Sequence, residues 1–117
     1  YGVEPSLLMT WAYKDKPEMT EGLASAYIAA GNRNGIMVFP VGLAFQRSQN
    51  DNPDIELFTP DKRHPSKAGT YLMAAVIYAS IYKVSPIGNS YDYGLDQNIQ
   101  NRLQKTAWET LSYYKSN

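Results

Sequence analysis

Two short, nearly continuous apolar runs, at residues 6–12 and 36–39, stand out in the pattern of hydrophobic and polar positions. The first run follows Pro5 and ends before a charged stretch, and the second is stopped by Pro40. At these lengths a buried β-strand is favoured over a helix. We therefore predict two strands that are buried on both faces.

The segment between the two runs has the period of a helix. Thr20 is the predicted N-cap, and either Gly31 or Gly35 ends the helix. Its apolar residues recur every three or four positions, at Leu23, Ala26, Tyr27 and Ala30. The order strand, helix, strand is typical of an α/β domain with parallel strands.

The second half of the chain is predicted to be helical. Residues 41–49 are compatible with a short helix, and Ser66 is the predicted N-cap of a long helix that is apolar nearly all round and therefore well buried. Residues 85–94 are predicted to be a loop, and residues 95–114 a last amphipathic helix.

Residues 1–117 have the length of one domain, yet two strands are few for a complete α/β domain. A parallel sheet needs both faces covered and usually has more strands. We therefore expect the missing strands to lie on an absent N-terminal half or on a second copy of the chain. Because unpaired sheet edges and apolar faces drive association, we predict a homo-oligomer.

The composition narrows the classes of function. Eleven Lys and Arg residues balance eleven Asp and Glu residues, so no electrostatic attraction to nucleic acid or to an anionic membrane surface is expected. No apolar run approaches the ~20 residues of a membrane span. The absence of Cys excludes a thiolate nucleophile, and with a single His we predict neither a metal site nor a cofactor.

The single histidine, His64, follows Asp61 by three residues. A carboxylate at this spacing can accept the Nδ1 proton of the imidazole and leave Nε2 free as a general base. In the alternative interpretation Asp61 caps a turn, and His64 is a surface residue beside Lys62 and Arg63. The spacing alone is a weak motif and favours this second interpretation.

The residues that follow make the motif more specific. Residues 61–72 read DKRHPSKAGTYL, which resembles the last conserved block of the SGNH hydrolases, or GDSL esterases and lipases, with the pattern Asp-x-x-His-Pro-Ser-x-x-Gly-x-Tyr-Leu. Residues 6–12 and 38–45 resemble, more diffusely, the strand segments before that block. Residues 85–88 and the last helix resemble the tail of one bacterial branch of the family.

The resemblance implies a three-layer α/β/α sandwich of flavodoxin-like form that hydrolyses acyl or acetyl esters. Asp61 would be the orienting acid and His64 the general base of a Ser-His-Asp triad. The family's nucleophilic serine, in a Gly-Asp-Ser or Gly-Asn-Ser turn, and its oxyanion Gly and Asn lie upstream, and none of them occurs before Asp61 here. The chain therefore resembles the C-terminal part of such an enzyme and is expected to be inactive alone.

One sequence in the chain has the letters of the nucleophile turn. Residues 88–90 read Gly-Asn-Ser, but they come after the histidine and do not follow an apolar strand. A nucleophile turn needs a strand before it and a helix N-terminus behind it. We therefore predict a loop turn and not a catalytic Ser90.

Two aromatic residues are the candidates for substrate binding. Trp11 and Phe45 follow the two predicted strands, at the end of the sheet where ligands bind in open α/β folds. They are either core residues or the wall of a pocket for a small-molecule or carbohydrate ester. Relatives in the SGNH family are often exported, but localisation is left open here. A non-enzymatic, oligomerising interaction module that keeps the fold is the alternative function.

Overall fold

The computed structural model describes residues 2–116, with side chains as far as Tyr114. This part of the chain forms a two-stranded parallel sheet and four helices, which confirms the predicted mixed α/β class and the parallel strands. In chain order the elements are β1 (Ser6–Leu8), α1 (Met19–Asn34), β2 (Met37–Phe39), α2 (Val41–Asp51), α3 (Lys67–Tyr82) and α4 (Gln97–Ser116).

The first strand is shorter than the apolar run that predicted it. β1 ends at Leu8. The backbone of the next residue, Met9, forms hydrogen bonds with the last residue of β2 and with the first turn of α2. Its N–H donates to the Phe39 carbonyl over 3.1 Å, and its carbonyl accepts from the Gly42 N–H over 3.1 Å. A Cβ at Gly42 would lie 2.2 Å from the Thr10 carbonyl oxygen, so the chain after β1 packs directly on α2. Met9 and Ala12 are core residues without being part of the strand, whereas Ser6 and Leu8 are exposed, so the prediction of a buried strand is wrong for β1.

The predicted N-cap of α1 is wrong. The helix begins at Met19, and Thr20 lies within its first turn, only 4% exposed. Glu18 holds the N-cap position without a side-chain hydrogen bond. Burial of Thr20 has taken precedence over its capping preference. At the other end Gly35 adopts φ +64° and donates its N–H to the Gly31 carbonyl, which decides between the two predicted ends.

Side-chain oxygens cap the last two helices, of which α4 begins at Gln97 and not at the predicted residue 95. Ser66 Oγ accepts the Gly69 N–H over 3.2 Å and caps α3, which confirms the predicted cap. Asp96 Oδ1 accepts the Ile99 N–H over 2.9 Å at the start of α4. Residues 85–94 between these helices form the predicted loop.

The main core lies between α2, α3, α4 and the segment before α3. Its largest fully buried side chains are Phe45, Leu57, Leu72 and Leu103. A smaller cluster of Met9, Ala24 and Val38 packs α1 on the sheet. Ile55, Leu57 and Phe58 belong to the main core and fix the segment 52–66, which carries Asp61 and His64 between α2 and α3.

Candidate active site

Residues 57–66 form an irregular hairpin that leads into α3. Phe58 and Pro65 form an antiparallel bridge. The Thr59 N–H donates to the His64 carbonyl over 2.9 Å, and the Ser66 N–H donates to the Leu57 carbonyl over 2.8 Å. Asp61 and His64 therefore lie at the tip of a cross-linked loop that is continuous with a buried helix.

Two hydrogen bonds attach the hairpin tip to the segment that follows β1. Trp11 Nε1 donates to the Arg63 carbonyl over 2.8 Å, and the Lys14 N–H donates to the Lys62 carbonyl over 2.9 Å. Because residues 11–14 come after β1, the tip lies at the carboxyl end of the parallel strands. Ligands of open α/β sheets bind at this end.

The two oxygens of Asp61 have separate tasks. Oδ1 accepts hydrogen bonds from Thr59 Oγ1 (2.8 Å), from the Arg63 N–H (2.9 Å) and from the His64 N–H (3.0 Å). Oδ2 binds the Nδ1 of the His64 ring. The residue thus caps the turn and also binds the imidazole, so the contacts expected from both interpretations occur in one side chain.

These contacts also determine the charge of Asp61. The His64 amide, and after it the His64 ring, hold the pKa of the Asp61 carboxyl well below its usual range, and the Arg63 amide adds to the effect. The carboxylate therefore stays ionised and acceptor-only across neutral pH.

His64 presents its ring to solvent. The side chain is 79% exposed, and no other described residue forms a hydrogen bond with its Nε2. With Nδ1–H bound to Asp61, Nε2 carries the free lone pair. The pair can accept a proton from a hydroxyl group that comes within reach, and Asp61 would stabilise the resulting imidazolium.

Trp11 and Phe45, the two predicted pocket aromatics, are in contact. Their rings stack with centroids 5.0 Å apart, and Phe45 also meets Phe58 edge-on at 5.7 Å. Phe45 is 1% exposed, whereas Trp11 is half-buried. Of the two, Trp11 is therefore the one with accessible surface beside the hairpin tip, and Phe45 supports it from the core.

Three further contacts shape the site and were not predicted from the sequence. Thr59 binds Asp61, and the spacing Thr-x-Asp before a histidine was a usable signal for such a turn. Lys14 pairs with Glu56 at the base of the hairpin, and the Arg63 guanidinium lies 4.7 Å from the centre of the Tyr13 ring. These two contacts join residues more than forty positions apart, and no local pattern indicates them.

Ser90 lies in the exposed loop between α3 and α4. Its neighbours are held by buried side chains: Gln104 Nε2 donates to the Asn89 carbonyl over 3.0 Å, and the Tyr71 hydroxyl donates to the Tyr91 carbonyl over 3.0 Å. The element directly before this turn is the helix α3 and not a strand. No hydrogen bond links Ser90 to His64 in the described part of the chain. The local geometry is that of a loop turn.

Two cavities in the described part of the chain lie away from the hairpin tip. A cleft of about 560 Å³ lies between α1, α2 and α4, and a smaller one of about 270 Å³ lies beside Tyr71 and Tyr78. Neither is lined by Asp61 or His64.

Residues 2–116 contain no cluster of three or more His, Asp or Glu side chains suited to a metal ion. Over the same residues, no helix has the length and apolarity of a membrane span.

Replacing Trp11 by Phe is expected to lower the free energy of unfolding by about 1 kcal/mol, because it keeps the stack on Phe45 but removes the hydrogen bond to the Arg63 carbonyl. The amide of Lys14, which bonds the same hairpin, should exchange faster with solvent. The control is Trp108→Phe, since the Trp108 indole N–H has no partner among the described residues. Equal effects of the two variants on Lys14 exchange would contradict this role of Trp11.

Acid is expected to destabilise the chain partly through Asp61. Since its pKa is lower in the folded than in the unfolded chain, the ionised carboxyl favours folding above about pH 4, and this contribution is lost as the pH falls towards the folded-state pKa. Urea unfolding between about pH 5 and pH 2 should show a smaller loss of stability for Asp61→Asn than for the wild type. If the stabilities of the wild type and of Asp61→Asn fell in parallel with pH, the lowered pKa of Asp61 in the folded chain would be contradicted.

A comparison with solved structures supports the mixed α/β fold, whereas comparisons of the sequence find no match. No family model matches the sequence, and no curated protein matches it at a significant level. Among solved structures, the chain is similar to the crystal structure of a DUF4886 family protein from Bacteroides uniformis ATCC 8492, with a TM-score of 0.83 and 21% sequence identity. The match covers 96% of this chain and 49% of that protein, so this chain spans about half the length of the structure it resembles. At this identity the likeness establishes the fold alone.

Proposed function

We propose that the chain is the His- and Asp-bearing part of a serine ester hydrolase. The observation that carries the proposal is the Asp61–His64 pair, with one carboxylate oxygen on Nδ1 and Nε2 open to solvent at the carboxyl end of the strands. The substrate would be an acyl or acetyl ester of a small molecule or a carbohydrate. The nucleophile and the oxyanion donors would come from residues outside 1–117.

The roles of the two residues follow from acyl-transfer chemistry. As a serine oxygen attacks the ester carbonyl, its proton would pass to Nε2 of His64, and Asp61 would stabilise the imidazolium. His64 would then return the proton to the leaving alcohol as the acyl-enzyme forms. Water would repeat the sequence and release the acid.

The exposure of His64 supports an incomplete site. A catalytic imidazole acts in a cavity that excludes water, and a ring that is 79% exposed lacks the walls of such a cavity. In the finer form of the proposal, the fold is part of a flavodoxin-like three-layer α/β/α sandwich whose other strands and helices lie outside this chain. The half-length match to the DUF4886 structure is consistent with this size.

The test is labelling with a fluorophosphonate, which reacts with activated serines. We expect no adduct on the 117-residue chain. In the complete product of the reading frame we expect a serine adduct. His64→Ala should lower the rate at which this adduct forms by about 10³-fold or more. Lys62→Asn is the matched control, because Asn tolerates the φ of +63° at this position and the residue contributes no side chain to the pair.

Two results would overturn parts of the proposal. A complete product that is not labelled, or is labelled equally in His64→Ala, would exclude the hydrolase. An adduct at Ser90 of the short chain that disappears in His64→Ala would place the nucleophile within these residues.

The second candidate is a non-enzymatic module that associates with itself. It is favoured by exposed apolar side chains, among them Leu8, Ile81, Tyr82 and Ile87. Sedimentation over a range of concentrations tests it, since this candidate requires a dimer or larger species at micromolar concentration.

A further inference from the structure

The larger of the two cavities is the cleft of about 560 Å³ between α1, α2 and α4, which we call the helix cleft. Its volume lies within the range of small-molecule sites. Asn32, in the last turn of α1, lines the cleft, and this turn is tied to the start of β2 by a bond of 2.9 Å from the Ile36 N–H to the Gly31 carbonyl. The cleft therefore reaches the amino end of β2, whereas the hairpin 57–66 lies at the carboxyl end of the strands.

The floor of the helix cleft is apolar and is fixed by packing. Ile28 of α1, Leu43 of α2 and Tyr114 of α4 line the cleft, and all three pack against the smaller core cluster. Burial raises the pKa of the Tyr114 hydroxyl, which therefore stays protonated at neutral pH. Side chains from three helices thus form a surface that a ligand can contact through C–H groups.

Three amide side chains line the same cleft and bond to no other described residue. They are Asn32 on α1 and Gln46 and Asn50 on α2, and all three are exposed. Asn34, by contrast, lies outside the cleft, and its side-chain amide donates to the Ala30 carbonyl over 2.8 Å. An amide side chain can both donate and accept hydrogen bonds, as can a hydroxyl group. The three amides therefore suit a ligand that carries several hydroxyl groups.

The charged side chains that line the cleft balance each other. Arg47 and Asp51 both line it, and Arg47 Nε lies 4.0 Å from an oxygen of Asp51 and 4.0 Å from an oxygen of Glu109. The Arg47 guanidinium also lies 5.2 Å from the centre of the Tyr113 ring, within the range of a cation–π contact. An anionic ligand would meet the two carboxylates, and a cationic ligand would meet the guanidinium. This arrangement favours a neutral ligand.

We infer that the helix cleft binds a neutral saccharide. A pyranose ring has C–H groups that suit the apolar floor and hydroxyl groups that suit the three amides. A purely apolar ligand fits less well, because it would cover the amides and Arg47 without giving them hydrogen bonds. The inference goes beyond the proposed function, and it requires neither hydrolytic chemistry nor residues outside 1–117.

Titration of the nitrogen-15-labelled chain with cellobiose, maltose and diacetylchitobiose, each up to about 10 mM, tests the inference. We expect at least one of these neutral disaccharides to shift the side-chain amide signals of Asn32, Gln46 and Asn50 in a saturable way. Asn32→Ala should weaken this binding by about 10-fold, because it removes one hydrogen-bonding group from the cleft. Asn34→Ala is the matched control, since it makes the same change on α1 outside the cleft and should leave the affinity unchanged.

Three results would overturn the inference. The first is the absence of a saturable shift with all three disaccharides. The second is binding of glucuronic acid or glucosamine at least as tight as that of any neutral sugar, since the cleft would then not select a neutral ligand. The third is an equal affinity of Asn32→Ala and Asn34→Ala, which would place the sugar elsewhere. Saccharide binding in the cleft without fluorophosphonate labelling of the complete product would support this inference and reject only the hydrolase.

Discussion

Replacing Asp61 by Asn is expected to preserve the hairpin and to invert the tautomer of His64. The Asn carbonyl oxygen can still accept the hydrogen bonds from Thr59 and from the amides of Arg63 and His64. The position of Oδ2, which binds Nδ1 in the wild type, would then be taken by an NH₂ donor. A donor at this place favours a bare Nδ1 and a proton on Nε2. Under the proposed function His64 would then no longer act as a base, and the ester hydrolysis proposed for the complete protein should fall by about 10⁴-fold.

The tautomer can be measured directly on the short chain, because His64 is its only histidine. Nitrogen-15 spectra of the ring distinguish the two protonated forms without assignment ambiguity. We expect a proton on Nδ1 in the wild type and on Nε2 in Asp61→Asn. The control is Asp54→Asn, which removes a carboxylate bound to Arg102 and should not change the ring. A wild-type ring protonated on Nε2 would reject the orienting role of Asp61.

Replacing Gly69 by Ala is expected to cost the largest amount of stability of the single changes considered for this chain. A Cβ at Gly69 would lie 2.3 Å from the Leu57 carbonyl oxygen and 3.0 Å from the Pro65 Cβ. The obstacle is backbone, so α3 and the hairpin must separate. Overpacking of this kind costs about 1–3 kcal/mol, and we expect the upper end of that range. The separation should also displace the hairpin tip that carries Asp61 and His64.

The matched control is Gly22→Ala in the first turns of α1. Nothing lies within 4 Å of a Cβ at that position, so the change should stabilise the chain by about 0.5–1 kcal/mol through helix propensity. Urea unfolding gives both values, and the opposite signs separate a packing effect from a general effect of adding a methyl group. A Gly69→Ala variant as stable as the wild type would show that α3 and the hairpin are not in close contact.

The failures of the sequence prediction have identifiable causes. Thr20 was the best capping residue near the start of α1, but it is buried in the first turn and the N-cap lies two residues earlier, at Glu18. The apolar run at 6–12 was predicted to be one strand, whereas its second half packs against the N-terminus of α2 through Met9 and Gly42. In the second case a contact with a distant element outweighed a local preference.

What the sequence by itself determined is local. The helical period, the Ser66 cap, a glycine at the end of α1 and the three-residue spacing of Asp61 and His64 depend on neighbours within about one turn, and the structure contains each of them. The tertiary structure alone decided where the pair lies. The bonds from Trp11 and Lys14 that place the hairpin at the carboxyl end of the strands connect residues about fifty positions apart. The stack of Trp11 on Phe45 likewise joins residues that are distant in the sequence. Such contacts depend on the packing of the whole chain, and no spacing along it encodes them.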